Sequence, residues 1–256
     1  VGKSTTAVNL TLALQVEGAR VGLLDADIYG PSQALMLGVQ GQRPETPDGK
    51  SFNPVVAHGI PVMSMAFLLT ERSPTIWRGP MVSGAFTQML RQTNWGNLDY
   101  LVIDLPPGTG DIQLTLSQQV PVNGAVVVTT PQDIALLDAR RGIEMFRRVE
   151  VPVLGVIENM SLHRCSKCGH TEHLFGEGGG DRIAAEYDTE LLGALPLDLS
   201  IRQQTDIGKP SVISDPDGVI AQSYRDIARR TAARLALFAE HNGSSNLITK
   251  IQGTDE

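Results

Sequence analysis

Short apolar runs alternate with amphipathic segments along almost the whole chain. Uninterrupted runs of Val, Ile and Leu are typical of strands buried on both faces of a parallel sheet. They predict strands within 20–27, 61–65, 100–108, 124–130, 152–158 and 191–195. Spacing near 3.6 residues predicts helices at 5–16, 82–92, 112–119, 134–148, 180–187 and 219–239. This order predicts an α/β fold with a doubly wound, mostly parallel sheet and helices on both faces.

Three segments interrupt the alternation. Residues 38–60 are rich in Gly, Pro and polar side chains, and they are predicted to form a loop or an excursion from the alternation. Residues 161–180 form an irregular insertion between a strand and a helix, called the cysteine insertion below because it carries both cysteines. Residues 241–256 are polar and predict a frayed tail, which leaves one predicted domain at 1–240.

The first predicted helix, 5–16, is expected to bury a single face. Its buried positions are predicted from helical spacing to be Ala7, Leu10, Ala13 and Leu14. Gly18 follows the last turn, where a residue with positive φ commonly ends a helix.

The chain begins with the second half of a phosphate-binding motif. Val1-Gly2-Lys3-Ser4-Thr5 matches the end of G-x-x-x-x-G-K-[ST]. In such a motif the Lys3 ammonium reaches the outer phosphates of a nucleotide, the Ser4 hydroxyl binds Mg²⁺, and amides at a helix N-terminus favour anions. The start of the motif and the strand leading into it would precede Val1. We therefore interpret the chain as a fragment of a longer nucleotide-binding protein with a P-loop fold.

Two predicted strands end in aspartates. Asp104 follows the apolar run of a Walker B strand, and the carboxyl ends of such strands are where α/β sheets bind ligands, so Asp104 is predicted to serve Mg²⁺ opposite Ser4. Asp27 begins a loop, 27–32, and the Asp27 side chain is predicted to orient an attacking water. The Pro- and Gly-rich segment 106–111 is predicted to order on ATP and relax after hydrolysis. The alternative for both loops is a pair of well-capped turns.

The base-binding residue is predicted at the end of strand 152–158. The guanine-selective pattern N-K-x-D does not occur in the chain, which favours ATP over GTP. The Asn159 amide has both a donor and an acceptor for a purine edge.

Composition excludes several classes of protein. With 256 residues, 41% of them hydrophobic, the chain can bury one large α/β core or two small ones. The net charge is −7 and there is no long basic run, so no nucleic-acid partner is expected. No apolar run approaches the roughly eighteen residues of a membrane span, so no membrane partner is expected, and the predicted location is cytoplasmic.

The two cysteines form a short motif, Cys165-Ser166-Lys167-Cys168-Gly169. Gly169 permits a tight turn in which backbone amides point at sulfur, as metal knuckles require. A redox pair and two inert cysteines are alternatives. Zinc could be completed within one chain by His170 and His173, or the same Cys pair from a second subunit could supply four thiolates across a two-fold axis. Four thiolates suit a [4Fe–4S] cluster or zinc.

Taken together, these residues resemble the Mrp/ApbC group of P-loop ATPases, iron–sulfur cluster carriers related to MinD and ParA. The resemblance runs from Val1 to about Ala239 and rests on V-G-K-S-T-T-A-V-N-L, L-L-D-A-D-I-Y-G-P-S, I-W-R-G-P-M, L-V-I-D-L-P-P-G-T-G-D, T-T-P-Q-D-I-A-L-L-D-A-R-R-G, G-V-I-E-N-M-S and C-S-K-C-G-H. It implies a homodimer that binds a [4Fe–4S] cluster and passes it to apo-proteins, gated by slow ATP hydrolysis.

The resemblance also implies roles for individual residues. Phosphate binding falls to Gly2, Lys3, Ser4, Thr5 and Thr6. Asp27 and Asp111 flank the γ-phosphate, Asp104 serves Mg²⁺, Asn159 binds the base, and Cys165 and Cys168 bind the cluster. The family's second, signature lysine would precede Val1, and Arg78 and Arg202 receive no role. The alternatives are a MinD- or ParA-like spatial regulator and a zinc-stapled nucleotide-binding dimer.

Overall fold

The computed structural model describes residues 1–68, 79–108, 120, 122–165 and 167–241, in which helices and strands alternate. The strands are β1 Val21–Asp25, β2 Val55–Ala57, β3 Ile60–Ser64, β4 Tyr100–Asp104, β5 Ala125–Thr129, β6 Val153–Glu158, β7 His163–Arg164, β8 Thr171–Glu172 and β9 Leu191–Ala194. The helices are α1 Lys3–Val16, α2 Gln33–Met36, α3 Met65–Leu68, α4 Gly79–Arg91, α5 Asp133–Arg148, α6 Gly179–Glu186, α7 Leu199–Asp206, α8 Ser211–Ser214 and α9 Val219–His241.

The described strands form two larger sheets and one hairpin. One sheet has the order β2-β3-β1-β4 and the other β5-β6-β9, and their strands pair in parallel except for β2 with β3. The prediction of a mostly parallel α/β architecture is confirmed. In the pairing of β1 with β4, Asp25 lies opposite Asp104, so two strand-end carboxylates meet at one edge.

Most predicted elements are present with ends shifted by one or two residues, and the structure adds several that were not predicted. The segment 38–60 is not only loop, because β2 and the first residue of β3 lie within it. The helices α2, α3, α7 and α8 had no prediction; α2, α3 and α8 have four residues each, which is too short to show helical periodicity. The predicted helix at 112–119 and the tail beyond residue 241 lie outside the described residues.

Helix α1 is buried almost all round, which corrects the expectation of a single apolar face. Its buried residues are Thr6, Val8, Asn9, Leu10, Thr11, Leu12, Ala13 and Leu14. The helix packs against β1, β4 and α9, and side chains of α1, α9 and both larger sheets share one hydrophobic core. Its buried polar groups find partners: the Asn9 amide nitrogen donates to the Thr5 carbonyl at 2.9 Å, and its oxygen accepts from the Val212 amide at 3.2 Å.

Candidate nucleotide and metal sites

The phosphate-binding residues lie at the N-terminus of α1. Gly2 caps the helix in the left-handed conformation, with φ at +78°, which a residue with a side chain adopts only with strain. The first amides of the helix have no intrahelical partner and point out of its N-terminus, where the helix dipole favours anions. The Thr6 amide and hydroxyl both donate to the Gly2 carbonyl, at 3.0 and 2.9 Å. This turn supports the predicted phosphate site.

Asn159 lies directly against residues 1–5, the end of the phosphate-binding motif, which are called the phosphate loop below. Its side-chain nitrogen donates to the Val1 carbonyl at 2.8 Å, its side-chain oxygen accepts from the Met160 amide at 3.0 Å, and its backbone amide donates to Thr129 at 2.7 Å. A Cβ on Gly2 would overlap this side-chain nitrogen. The structure therefore shows Asn159 holding the loop, and its contact with a base remains a prediction.

Asp104 ends β4 and is almost completely buried. Burial raises the pKa of its carboxyl, while hydrogen bonds from the Ser4 and Gln33 side chains and the charge of Lys3 oppose that rise. A carboxylate and a hydroxyl are hard oxygen donors of the kind that Mg²⁺ takes in nucleotide sites. A divalent cation would also offset the cost of burying the Asp104 charge. Ser4 and Asp104 thus fit the predicted metal role.

Asp25 is a site residue that the sequence reasoning missed. It is fully buried at the end of β1 and accepts hydrogen bonds from the Asp27 amide at 3.1 Å, the Gln33 amide at 3.1 Å and the Ser64 hydroxyl at 2.9 Å. Burial is the main cause that raises its pKa to about 7, and the nearby charge of Asp104 adds to it. The sequence feature that could have identified Asp25 was its position at the end of a strand predicted to be buried.

Asp27 caps its own loop. Its Oδ1 accepts from the amides of Tyr29 and Gly30 at 3.1 and 3.2 Å, an arrangement that stabilises the turn locally. In this structure, residues 27–32 thus form the well-capped turn that was the alternative to a nucleotide-binding loop. Asp27 is half-buried and Tyr29 is exposed, so the loop remains accessible to a ligand. The role of Asp27 in orienting water stays a prediction, and Asp111 lies outside the described residues.

Gln33 is the second residue that was missed. It begins α2, is fully buried, and its Nε2 donates to the Ser4 carbonyl at 3.0 Å and to Asp104 Oδ2 at 2.8 Å. Its backbone amide donates a hydrogen bond to the Asp25 carboxylate. The one available signal was a glutamine at the start of an otherwise apolar segment, Gln-Ala-Leu-Met.

The cysteine motif forms the turn between β7 and β8. The Cys165 amide donates to the His170 carbonyl at 2.8 Å and the Gly169 amide to the Cys165 carbonyl at 2.9 Å, with φ of Gly169 at +74°. The amides of Cys168 and Lys167 donate to the Cys165 sulfur and lower the pKa of that thiol. The predicted tight turn with amides directed at sulfur is confirmed. Cys168 is exposed and Cys165 is half-buried, so both thiols reach the surface.

The histidines of the insertion have other contacts. His173 Nδ1 lies 2.8 Å from the Ser161 carbonyl and its Nε2 lies 3.9 Å from Glu177, while His170 is exposed. Within the part of the chain that the structure describes, no three His, Cys, Asp or Glu side chains are grouped as a metal site. A Cys₂His₂ zinc site within one chain is therefore not assembled.

Two arginines had no assigned role. Arg202 is exposed on α7 and pairs with Asp206 at 2.8 Å, a surface ion pair along one helix. Such exposed pairs contribute about 1 kcal/mol or less. Arg78 lies outside the described residues.

A half P-loop at a helix N-terminus, two buried carboxylates at adjacent strand ends and a parallel α/β core define a nucleotide-binding protein of the P-loop class. A family model described as ParA, NUBPL iron-transfer P-loop NTPase, matches residues 1–232. The chain belongs to this family of iron-transfer P-loop NTPases. Of the helices that the structure describes, none has the length and apolar content needed to cross a membrane.

Known proteins of high similarity agree with this assignment. An iron-sulfur cluster carrier protein from Pseudomonas fragi is 64% identical over 229 residues, which cover 89% of this chain and 80% of the relative. The carrier protein of the same name from Escherichia coli K12 is 59% identical over 92% of this chain, which spans only 64% of that relative. A solved nucleotide-binding protein from Archaeoglobus fulgidus, in complex with ADP, is 34% identical with a TM-score of 0.74, covering 87% of this chain and 86% of that one.

Proposed function

We propose that this protein binds and hydrolyses ATP with Mg²⁺ and carries a [4Fe–4S] cluster, which a homodimer holds and delivers to apo-proteins. The observation that carries the proposal is the cysteine turn, in which two backbone amides donate to the Cys165 sulfur and lower the pKa of its thiol. The thiolate is the form that binds iron. Because the family transfers iron, a cluster is the cargo that we assign to this turn.

The nucleotide half of the proposal rests on α1 and the strand ends beside it. The amides at the start of α1 and the Lys3 ammonium bind the phosphates, through Gly2, Lys3, Ser4, Thr5 and Thr6. Ser4 and Asp104 hold Mg²⁺, which neutralises phosphate charge as the terminal phosphate is transferred. Asp27 and Asp111 flank that phosphate, and Asn159 bonds the base. The ADP bound to the Archaeoglobus fulgidus relative supports a nucleotide in this pocket.

The cluster half requires a second copy of the chain. One chain offers two thiols at the β7–β8 turn, and a [4Fe–4S] cluster takes four ligands. A two-fold axis beside the turn brings the same pair from a partner, because an isologous interface repeats one patch on both subunits. Ligation by both chains then links cluster binding to dimerisation, and each strengthens the other by the same coupling energy.

The test compares cysteine and histidine variants of the full-length protein purified under nitrogen. Iron and sulfide per subunit are measured beside the mass in solution by light scattering. Cys165→Ser and Cys168→Ser are each expected to abolish the cluster and to weaken dimerisation of the nucleotide-free protein. His170→Ala is the matched control in the same turn, and it is expected to keep both iron and the dimer.

Three outcomes would contradict the shared cluster. A monomer that holds stoichiometric iron would show that one chain supplies all the ligands. Loss of metal in His170→Ala or His173→Ala, with zinc in place of iron, would favour the zinc-stapled dimer instead. Retention of iron in both cysteine variants would remove the cysteine turn from the site.

A further inference from the structure

Gln33 connects three parts of the nucleotide site that are far apart in sequence. Its side-chain nitrogen donates to the Ser4 carbonyl in the phosphate loop and to Asp104 Oδ2 at the end of β4, at 3.0 and 2.8 Å. Its backbone amide donates to Asp25 Oδ2 at the end of β1, at 3.1 Å. One residue thus contacts the two strand-end carboxylates and the loop between them.

The side-chain oxygen of Gln33 has no hydrogen-bond partner among the described residues. Its Oε1 is buried and accepts no hydrogen bond from the residues that the structure describes. An unpaired buried acceptor loses its hydrogen bonds to water without replacement, and such groups in folded proteins call for a functional explanation. The carboxamide is therefore held by its nitrogen alone, in the orientation that serves Ser4 and Asp104.

We propose that Gln33 is a positioning residue for Mg²⁺ binding by Asp104. Its nitrogen donates to Oδ2 of Asp104, which restricts the rotation of the carboxylate that would hold the cation. The same nitrogen holds the Ser4 carbonyl and so fixes the residue whose hydroxyl serves the same cation. The inference rests on the nucleotide half of the proposed function.

Other side chains cannot do the same work at this position. Methionine has nearly the same shape but no donor, which would leave Asp104 Oδ2 without this partner. Glutamate would replace the donor with oxygen and add a third carboxylate beside Asp25 and Asp104, where like charges repel. Groups that orient metal ligands typically affect metal affinity by about 10–100-fold when they are removed.

The test is the affinity for ADP measured by calorimetry in the full-length protein, once with Mg²⁺ and once with EDTA. Gln33→Met is expected to weaken binding about tenfold with Mg²⁺ and less than about twofold with EDTA. Ser64→Ala is the matched control, because it removes a buried hydrogen bond to Asp25 without contacting Ser4 or Asp104. For Ser64→Ala, the ratio of the ADP affinity with Mg²⁺ to the ADP affinity with EDTA is expected to equal the ratio in the unmodified protein.

Gln33→Asn gives the same measurement if the methionine variant does not fold. Its amide is one methylene shorter and does not reach Asp104, so the same Mg²⁺-selective loss is expected. An equal loss with and without Mg²⁺, or no loss in either, would overturn the positioning role. If the unmodified protein binds ADP with no Mg²⁺ dependence, the metal assignment of Ser4 and Asp104 fails, and this inference fails with it.

Discussion

The Glu158 carboxylate, at the end of β6, accepts a hydrogen bond of 2.6 Å from the Gly180 amide at the start of α6. This bond joins the two ends of the cysteine insertion, which leaves the core after Asn159 and returns at Gly180. Since Asn159 holds the phosphate loop through Val1, the insertion is anchored one residue from the nucleotide site. The predicted nucleotide site and the cysteine insertion are therefore both connected to the end of β6.

Removal of the Glu158 carboxylate is expected to destabilise the protein. Glu158→Ala leaves the buried Gly180 amide unpaired, which costs about 1–3 kcal/mol in the free energy of unfolding. Glu158→Gln keeps an acceptor but loses the favourable charge at a helix N-terminus, so a smaller loss is expected. Urea denaturation of the two variants measures both. Equal stability of Glu158→Ala and the unmodified protein would show that the bond is not important.

Replacement of Lys3 is expected to separate nucleotide chemistry from cluster loading. In the full-length protein, Lys3→Ala should abolish ATP hydrolysis and cluster transfer while iron per subunit stays near the unmodified level. The reason is that Lys3 lies at the phosphate site, whereas the thiols lie in the β7–β8 turn. Phosphate release and transfer to an apo-protein are measured together. Lys50→Ala, which removes an exposed lysine from a loop, is the control for charge alone.

An alanine at Gly2 is expected to impair nucleotide binding through two separable effects. A Cβ there is strained by the positive φ and would also displace the Asn159 side chain from the phosphate loop. Gly18→Ala is the matched control, since Gly18 has φ of +98° but nothing within 4 Å of its Cβ position. Both changes should cost about 1–2 kcal/mol of stability from backbone strain. Only Gly2→Ala should weaken ADP binding, by about tenfold or more, and similar ADP affinities in the two variants would contradict the contact.

Asp25 is expected to make the ligand-free protein less stable as the pH rises. Its pKa is about 7 in the folded protein against 3.8 when exposed, so between these values the folded state binds more protons than the unfolded state. The free energy of unfolding should therefore decrease as the pH rises from about 4 to about 7. Denaturation at several pH values, with EDTA present, measures this slope.

The comparison for this slope is Asp25→Asn, which does not titrate. Like the protonated carboxyl, the amide keeps one acceptor oxygen and carries a donor in place of the other, so the stability of this variant does not depend on ionisation at position 25. Its slope in the same pH window should be flatter than that of the unmodified protein. Identical slopes would mean that Asp25 does not titrate as its burial implies.

The amino-acid sequence by itself determined what depends on short contiguous segments. The order of strands and helices follows from local periodicity, and the phosphate loop, Asp104 and the cysteine turn follow from motifs of a few neighbouring residues. The amides directed at the Cys165 sulfur could be predicted, because Gly169 readily adopts the positive φ that such a tight turn requires.

The tertiary structure decided what depends on contacts between distant segments. Asn159 contacts Val1, 158 residues away, and Gln33 contacts Asp104, 71 residues away, so no local pattern contains either pair. Whether α1 buries one face or all of its circumference depends on the two sheets and α9 that surround it. Asp25 acquires its raised pKa only because folding removes it from water beside Asp104. Burial and charge at a site arise from the packing of whole elements, and a single segment of sequence does not specify that packing.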